Sequence, residues 1–411
     1  MNKYGCIGKK LTHSFSKEIH EKLAGYDYQL KELTAAQLPA FLEKRDFKGI
    51  NVTIPYKQAV IPYLDRLDDK ARAIGAVNTI VNRDGRLYGY NTDYDGMVAL
   101  IRHAGLSLAG KTVLILGTGG TSKTAMAVAR DLGAASVQRV SRSGAEGAIS
   151  YEEAARLPVQ ILINTTPSGM YPDPDGQPMD LSRFGWLEGV LDAVYNPLRT
   201  RLVLQARDNG ARGQSGLYML VAQAAAACEL FLGKSLPETA LQDAYRAIHG
   251  EKQNIVLTGM PGSGKSTVGK LLAAQMGREL IDTDEAIVQK ANLPIPEIFA
   301  QKGEDYFRCL ESEVIAEAAK RTGVVIATGG GAILWAENVR RLRQNGRIYF
   351  LDRPVEDIVP TADRPLALDE EALRRRYAER YPRYTTTADT VIPVRGGADE
   401  VVQAIREEFL I

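Results

Sequence analysis

The sequence predicts an α/β protein with more than one domain, on three observations. The chain has 411 residues, roughly two to three times the usual length of a single domain. Two short apolar runs, KTVLI (111–115) and QNIVL (253–257), each lead into a glycine-rich turn and then a helical pattern, so strand, tight loop and helix occur twice. Ahead of the first turn, residues 1–100 alternate apolar segments such as FKGINVTIP and AVNTIV with helical ones such as FSKEIHEKLAGY, an α/β pattern without a glycine loop of its own.

Bulk properties narrow the class. Hydrophobic residues make up 45% and charged residues 25% of the chain, which is ordinary for a folded globular protein. Lys plus Arg (51) nearly cancels Asp plus Glu (50), so no global field draws the chain onto nucleic acid or an anionic membrane. Small molecules are the expected partners. The opening MNKYGCIGKKLTHSFS lacks the apolar run of a signal peptide, and no stretch reaches membrane-spanning length, so a cytoplasmic location is expected. Cys6, Cys228 and Cys309 are far apart and read as free, buried thiols. The histidines 13, 20, 103 and 249 are equally scattered, giving little support to a metal centre or a His-based triad. Lys, Asp and Arg, together with bound Mg²⁺, are the expected catalytic groups. No oligomeric state is legible, and a monomer is compatible with everything above.

The two loops differ in kind, which assigns them to separate nucleotide-binding domains. Between them, Tyr218 to Leu232 and Pro237 to His249 read as helices that stop at Gly250, and the short polar HGEKQN is the natural boundary. The expected domains are therefore 1–250 and 251–411. Within the first, a substrate lobe (about 1–100 plus 216–250) should face a nucleotide lobe (about 101–215) across a cleft.

The first loop, Gly117-Thr118-Gly119-Gly120-Thr121, departs from GxGxxG because Ser122 occupies the last glycine position. A plain strand-to-helix turn would account for it; so would a Rossmann-like lobe whose backbone N–H groups hold a pyrophosphate. The next strand, ASVQRV, ends in Ser141-Arg142-Ser143, where an NAD site would place an acid for the ribose hydroxyl. Arg142 can neutralise a 2′-phosphate, which favours NADP(H), although an exposed arginine without a ligand is the alternative.

Six ordered segments, GINVTIPYK (49–57), GAVNT (75–79), GYNTDYDG (89–96), NTTPSGM (164–170), DAVYNPLRT (192–200) and GLYMLVAQA (216–224), resemble shikimate dehydrogenase across the whole first half. The resemblance implies reduction of 3-dehydroshikimate to shikimate with Lys57 and Asp93 as the catalytic pair. It implies Ser14, Ser16, Thr53, Asn78, Tyr195 and Gln223, with Asp93, as substrate ligands, and Gly117, Gly119, Gly120, Thr121, Ser141, Arg142 and Asn164 around the cofactor. The chemistry agrees, since ketone reduction needs a positioned acid for the developing alkoxide. Ser14 and Ser16, at i and i+2 on an extended segment, can both face a carboxylate, while Ser16 can equally cap the helix starting at Lys17. The chain departs from the family at Lys17, Glu21, Ser143 and Gly144.

In the second half, GMPGSGKS (259–266) matches GxxxxGK[ST] between a strand and a helix. Such a P-loop cradles ATP phosphates: Gly259, Gly262, Ser263, Gly264, Lys265, Ser266 and Thr267 supply the nest, with Ser266 on Mg²⁺. In ELIDTDEAI, Asp282 and Asp284 should project to one face from a strand end. With IFAQKGEDYFRCLE (298–311), ATGGGA (327–332), DRPL (363–366) and RYPRY (380–384), residues 253–411 resemble shikimate kinase. That resemblance implies a parallel-sheet P-loop domain in which Asp284, Arg308, Gly330, Gly331 and Arg380 hold shikimate. It also implies that Arg364 closes over the phosphates and that Asp282 supports Mg²⁺ through water. Glu304 and Arg308 can instead be a helical i, i+4 ion pair, and the glycines a simple turn. The segment LDRPVEDIVPTADRPL is short for a kinase lid and lacks an upstream arginine over the adenine.

Two other readings use the same motifs: a quinate or shikimate dehydrogenase of relaxed choice fused to another small-metabolite kinase, and a regulatory protein built from degenerate enzyme folds. Intact Lys57, Asp93, Lys265 and Asp284 argue against the second.

Overall fold

The polypeptide divides into two units, Met1–Ile248 and His249–Ile411. The computed structural model describes residues 3–12, 14–144, 147–358 and 370–409.

The first unit contains two six-stranded sheets. The first is formed by β1 (Tyr4–Gly8), β2 (Tyr28–Glu32), β3 (Gly49–Val52), β4 (Arg66–Leu67), β5 (Thr79–Arg83) and β6 (Arg86–Tyr90), in the order β2-β1-β3-β5-β6-β4. It is mixed: β1 runs parallel to β2 and β3, whereas β3, β5 and β6 are antiparallel neighbours. The β5–β6 hairpin turns at Asp84 (φ 52°) and Gly85 (φ 82°), the left-handed pair that a two-residue hairpin of this hand requires. The second sheet contains β7 (Thr112–Leu116), β8 (Ser136–Val140), β9 (Ala148–Ile149), β10 (Ile161–Asn164), β11 (Gly189–Asp192) and β12 (Arg212–Ser215), ordered β12-β11-β10-β7-β8-β9 and parallel throughout. Its central strands TVLIL and ILIN are apolar on both faces because helices cover both faces. The strand order reverses direction at β7, and the carboxyl end of β7, where the first glycine loop begins, is therefore the topological switch point at which sheets of this kind take their ligands.

The chain returns to the first sheet through the helix Leu217–Leu232. That helix packs Leu217, Val221, Ala224 and Cys228 against Ile19 and Leu23 of the helix Ser16–Ala24 and Phe15 just before it, and Phe231 against Cys6 and Tyr28. Its other neighbour is the helix Thr92–His103. A Cβ on Gly96 would lie 2.7 Å from the Met219 carbonyl oxygen, so only glycine lets these two helices approach this closely.

The next helix, Ala240–Lys252, does not stop at Gly250 as its sequence suggests. Arg278 donates to the Gly250 and Gln253 carbonyls at 2.7 and 2.6 Å and so satisfies the end of a longer helix.

The second unit holds a single parallel sheet: β13 (Asn254–Thr258), β14 (Leu280–Asp282), β15 (Val325–Ala327), β16 (Gly346–Asp352) and β17 (Thr390–Pro393), ordered β14-β15-β13-β16-β17. The P-loop leaves the central strand β13 and enters the helix Lys265–Met276. The long helix Ile295–Lys320 is broken at Gly303 (φ 82°, ψ 171°). Of the three cysteines, Cys6 and Cys228 are buried as expected, while Cys309 is exposed because it lies on the outer face of that helix.

Candidate functional site

In the first unit, Lys57 sits in the turn after β3, where Val77 N–H donates to the Lys57 carbonyl at 2.8 Å. Asp93 lies in the first turn of the helix Thr92–His103, whose N-cap Asn91 accepts from Tyr94 N–H. These distant segments meet: Lys57 Nζ donates to Asp93 Oδ2 at 2.5 Å, with side chains only 15% and 10% exposed. Asn78, just before β5, completes the group. Its Nδ2 donates to Asp93 Oδ1 at 2.9 Å and lies 3.4 Å from Gln223 Oε1, and its Oδ1 accepts from Thr92 N–H at 2.7 Å. Buried polar groups this fully bonded hold one geometry. Thr92, which the sequence reading passed over, belongs to the same web and was hidden because only the fold brings it there.

Thr53 is anchored beside Gly8 by its N–H bond to the Ile7 carbonyl. Ser14 and Ser16 are indeed together, with hydroxyls 3.0 Å apart, and Ser14 also shares a hydrogen bond with Tyr195. Ser16 is not the helix cap. The helix starts one residue earlier than expected, at Ser16, with Phe15 at the cap position, and Ser14 Oγ accepts from Ser16 N–H. The serine and tyrosine group shares no hydrogen bond, among the described residues, with the Lys57 group.

The first glycine loop lies directly over Lys57, since a Cβ on Gly120 would be 3.7 Å from Lys57 Cδ. Gly117 adopts φ 105°, and Gly119, Gly120 and Thr121 open the helix Gly120–Asp131. Ser122, in place of the usual glycine, is fully buried and donates to the Gly117 carbonyl at 2.7 Å, closing the loop on itself. Gly117 N–H bonds the Val140 carbonyl, which places Ser141 and Arg142 next to the loop; Arg142 is exposed there. Asn164 is fully buried. Its side chain donates to Asp192 at 2.9 Å and accepts from Thr166 N–H, so it fixes the turn beside the loop rather than presenting itself to solvent. Burial pushes the Asp192 carboxyl up to about 7, against donors from Thr200, Val194 and Asn164.

In the second unit a cavity of about 520 Å³ brings together the P-loop and the expected acceptor residues. Gly259, Gly262 and Gly264 take positive φ, which curls the N–H groups into an anion-binding nest. Lys265 rests on the carbonyls of Gly259 and Met260 at 3.0 and 2.9 Å. Ser263 is buried, and Thr267 lines the cavity. Ser266 donates to Asp282 Oδ2 at 2.6 Å.

Asp282 and Asp284 do not share a strand face. The strand ends at Asp282, whose side chain caps the helix Thr283–Ala291 by accepting from Asp284 N–H at 3.0 Å. Helical turning therefore sends Asp282 to Ser266 and Asp284 into the cavity. A Cβ on Gly329 would lie 2.7 Å from Asp284 Oδ1 and 2.9 Å from Glu311 Oε1, so this glycine admits two carboxylates.

Arg308 pairs with Glu311 at 2.8 Å and with Glu304 at 3.1 Å, so the helical ion pair exists alongside its place in the cavity wall. A Cβ on Gly331 would collide with the Arg308 guanidinium. Arg380 donates to the Gly330 carbonyl at 3.1 Å. Arg364 lies outside the described residues. Glu311, Arg353 and Arg376 also line the cavity and were missed. Helical spacing from Arg308 could have pointed to Glu311, but no sequence signal marks the two arginines. Burial pushes the Glu311 carboxyl up, against the pull of Arg308. Five cations, Lys265, Arg308, Arg353, Arg376 and Arg380, face two acids, Asp284 and Glu311, a balance suited to anionic ligands.

Comparison with known proteins places both halves. A family model described as shikimate dehydrogenase substrate binding domain matches residues 6–80, and one described as shikimate kinase matches residues 261–409. A shikimate dehydrogenase (NADP(+)) of Clostridium beijerinckii is 36% identical over 269 residues, covering 61% of this chain and 99% of that protein. Among solved structures, shikimate 5-dehydrogenase from Thermus thermophilus in complex with NADP(H) and shikimate is similar with TM-score 0.55 and 30% identity, over 60% of this chain and 99% of that one. A chorismate mutase/shikimate 5-dehydrogenase fusion protein from Clostridium acetobutylicum is similar with TM-score 0.58 and 32% identity, over 60% and 97%.

Proposed function

The chain belongs to the shikimate dehydrogenase family and carries a shikimate kinase domain fused behind it, and we propose that it catalyses two steps in succession: NADPH-dependent reduction of 3-dehydroshikimate to shikimate, then ATP-dependent phosphorylation to shikimate 3-phosphate. What supports this reading is that each unit sets a nucleotide loop against a polar cluster, Gly120 over the Lys57–Asp93 pair in one and Lys265 on a common cavity with Asp284 in the other. The Thermus relative bound to NADP(H) and shikimate supports the choice of ligands for the first unit.

NADPH, when bound, supplies the hydride. Lys57 gives a proton to the oxygen that develops negative charge at the reduced carbon, and Asp93 holds the ammonium in place. Asn78, fixed from both sides by Thr92 and Asp93, orients the substrate hydroxyls. Arg142, exposed beside the loop, takes the 2′-phosphate.

In the second unit, Asp284 accepts the proton of the attacking hydroxyl, and Lys265 stabilises charge on the transferring phosphoryl. Arg308 and Arg380 take the carboxylate of shikimate. Ser266 and Asp282, a hydroxyl and a carboxylate already in contact, fit a hard cation that keeps water ligands, and these two would hold Mg²⁺. That ion, when bound, supplies charge neutralisation at the phosphates.

The test supplies 3-dehydroshikimate, NADPH, ATP and Mg²⁺ to the full chain and identifies products by mass spectrometry. Shikimate 3-phosphate is expected. No oxidation of NADPH would refute the first assignment, and accumulation of unphosphorylated shikimate would refute the second.

A further inference from the structure

We propose that Arg353 is a nucleotide-binding residue of the second unit, giving a charged donor to the phosphates of ATP at the Gly262 rim of the P-loop. The inference rests on the phosphotransfer reading above. Arg353 follows the last residue of β16, and its backbone is held firmly. The neighbouring Asp352 carboxylate accepts from the Tyr377 and Tyr381 hydroxyls at 3.0 and 3.3 Å, and the Asp352 carbonyl accepts from Val394 N–H at 2.9 Å.

From that fixed stem the guanidinium reaches the cavity wall, where Nη1 donates to the Gly262 carbonyl at 3.3 Å, long for a charged donor. Its Nε is buried and has no hydrogen-bond partner, and among the described residues no carboxylate pairs with Arg353. Three other cations of this wall are engaged: Lys265 with loop carbonyls, Arg308 with Glu304 and Glu311, Arg380 with Gly330. A buried guanidinium donor without an acceptor is costly in a purely structural role. The terminal nitrogens, held by one long bond at the cavity wall, are the donors an anion in the cavity would take up.

The position selects the anion. Gly262 belongs to the phosphate loop, whereas the acceptor-side groups Asp284, Arg308 and Arg380 gather at Gly329, Gly330 and Gly331, so phosphate oxygens rather than the acceptor carboxylate come within reach of Arg353. The planar fork of arginine suits phosphate oxygens.

The test uses the full-length chain with Arg353→Ala, Arg353→Gln and Arg353→Lys, measuring ATP affinity by calorimetry and KM for ATP and shikimate, with the reductase rate of the first unit as a check on the concentration of intact protein. Arg353→Ala and Arg353→Gln are expected to weaken ATP by about tenfold or more while leaving the KM for shikimate within about twofold, and Arg353→Lys is expected to recover much of the loss. Unchanged ATP affinity in Arg353→Gln, or an equal loss for shikimate and ATP, would overturn the assignment, as would failure of lysine to recover any of it. If alanine destabilises the unit, the glutamine and lysine pair still decides between charge and shape. Failure of the phosphotransfer reading would look different: wild-type protein would bind ATP yet leave shikimate unphosphorylated.

Discussion

On the proposed function the two candidate sites take the same small hydroxylated acid with a nucleotide each, yet their charge balances differ, one neutral and the other positive. In the first unit the polar cluster under the glycine loop pairs Lys57 with Asp93 inside a web of neutral amides and hydroxyls from Asn78, Thr92 and Gln223, and Arg142 stands apart from that cluster at the loop. In the second, five cations outnumber two acids around an open cavity. The contrast follows from the chemistry. A proton donor for a ketone needs a fixed, paired ammonium and little surrounding charge. A phosphoryl group and its nucleotide carry several negative charges and need a surplus of positive groups held in advance.

The strongest way to break this contrast is to remove its central cations one at a time. Lys57→Ala should lower ketone reduction by about two to four orders of magnitude while phosphorylation of added shikimate stays near wild type; a near-normal reduction rate in the folded variant would remove Lys57 from the mechanism. Lys265→Met or Asp284→Asn should silence phosphorylation and spare reduction. Wild-type phosphate transfer by either variant would mean the kinase groups are misplaced.

A smaller effect is expected at the edge of the first site. Arg142→Asp should weaken NADPH and relatively favour NADH, because a carboxylate repels the 2′-phosphate but accepts from a free 2′-hydroxyl. The measurement is kcat/KM for both cofactors in both proteins, and an unchanged ratio would show Arg142 to be a bystander.

The smallest effect concerns stability. His20, buried against Tyr28 and bonded through Nδ1 to Tyr26, is pushed down by burial from 6.5 to about 3. Its depressed value means that stability is complete above 6.5 and is lost as pH falls towards 3. Asp192 has the opposite sign: raised by burial from 3.8 to about 7, it contributes fully below 3.8 and loses its contribution as pH rises through 7. Between 3.8 and 6.5 the two slopes oppose each other. Asp192→Asn should therefore make the urea midpoint of reductase activity rise more steeply with pH over that window than in wild type, and the Thr200 hydroxyl, 2.7 Å from Asp192 Oδ2, can accept from the new amide. Parallel profiles in the two proteins would show that Asp192 is not proton-linked to folding.

The sequence made the local features legible. Both glycine loops, the strands that feed them and the helix Leu217–Leu232 follow from apolar runs and punctuation by glycine, signals carried by neighbouring residues. Lys57, Asp93, Asn78 and Gln223 were found through motif resemblance, but their contact depends on four separate segments meeting, the ends of β3 and β5 and two helices, which no local pattern encodes. Where strand changes to helix, local inference failed: Asp282 and Asp284 look like a strand pair only if the strand continues, and it ends at the first of them. Arg353 and Arg376 resemble any exposed arginine until the P-loop is placed beside them. Cys309 looked like a core thiol because its type usually is one, whereas its helix buries Arg308 and Glu311 and turns Cys309 outward.

The central claim is that each unit carries every side chain its own step requires, so the two chemistries are separable. The most direct measurement mixes two full-length variants, Lys57→Ala and Lys265→Met, each inactive alone in making shikimate 3-phosphate from 3-dehydroshikimate, and follows that product over time with NADPH, ATP and Mg²⁺. Independent sites predict that the mixture restores the product after a lag during which free shikimate accumulates, and that added shikimate abolishes the lag. A mixture that releases shikimate but never phosphorylates it, although Lys57→Ala alone phosphorylates shikimate added to the same concentration, would contradict the account and require the two steps to be coupled within one chain.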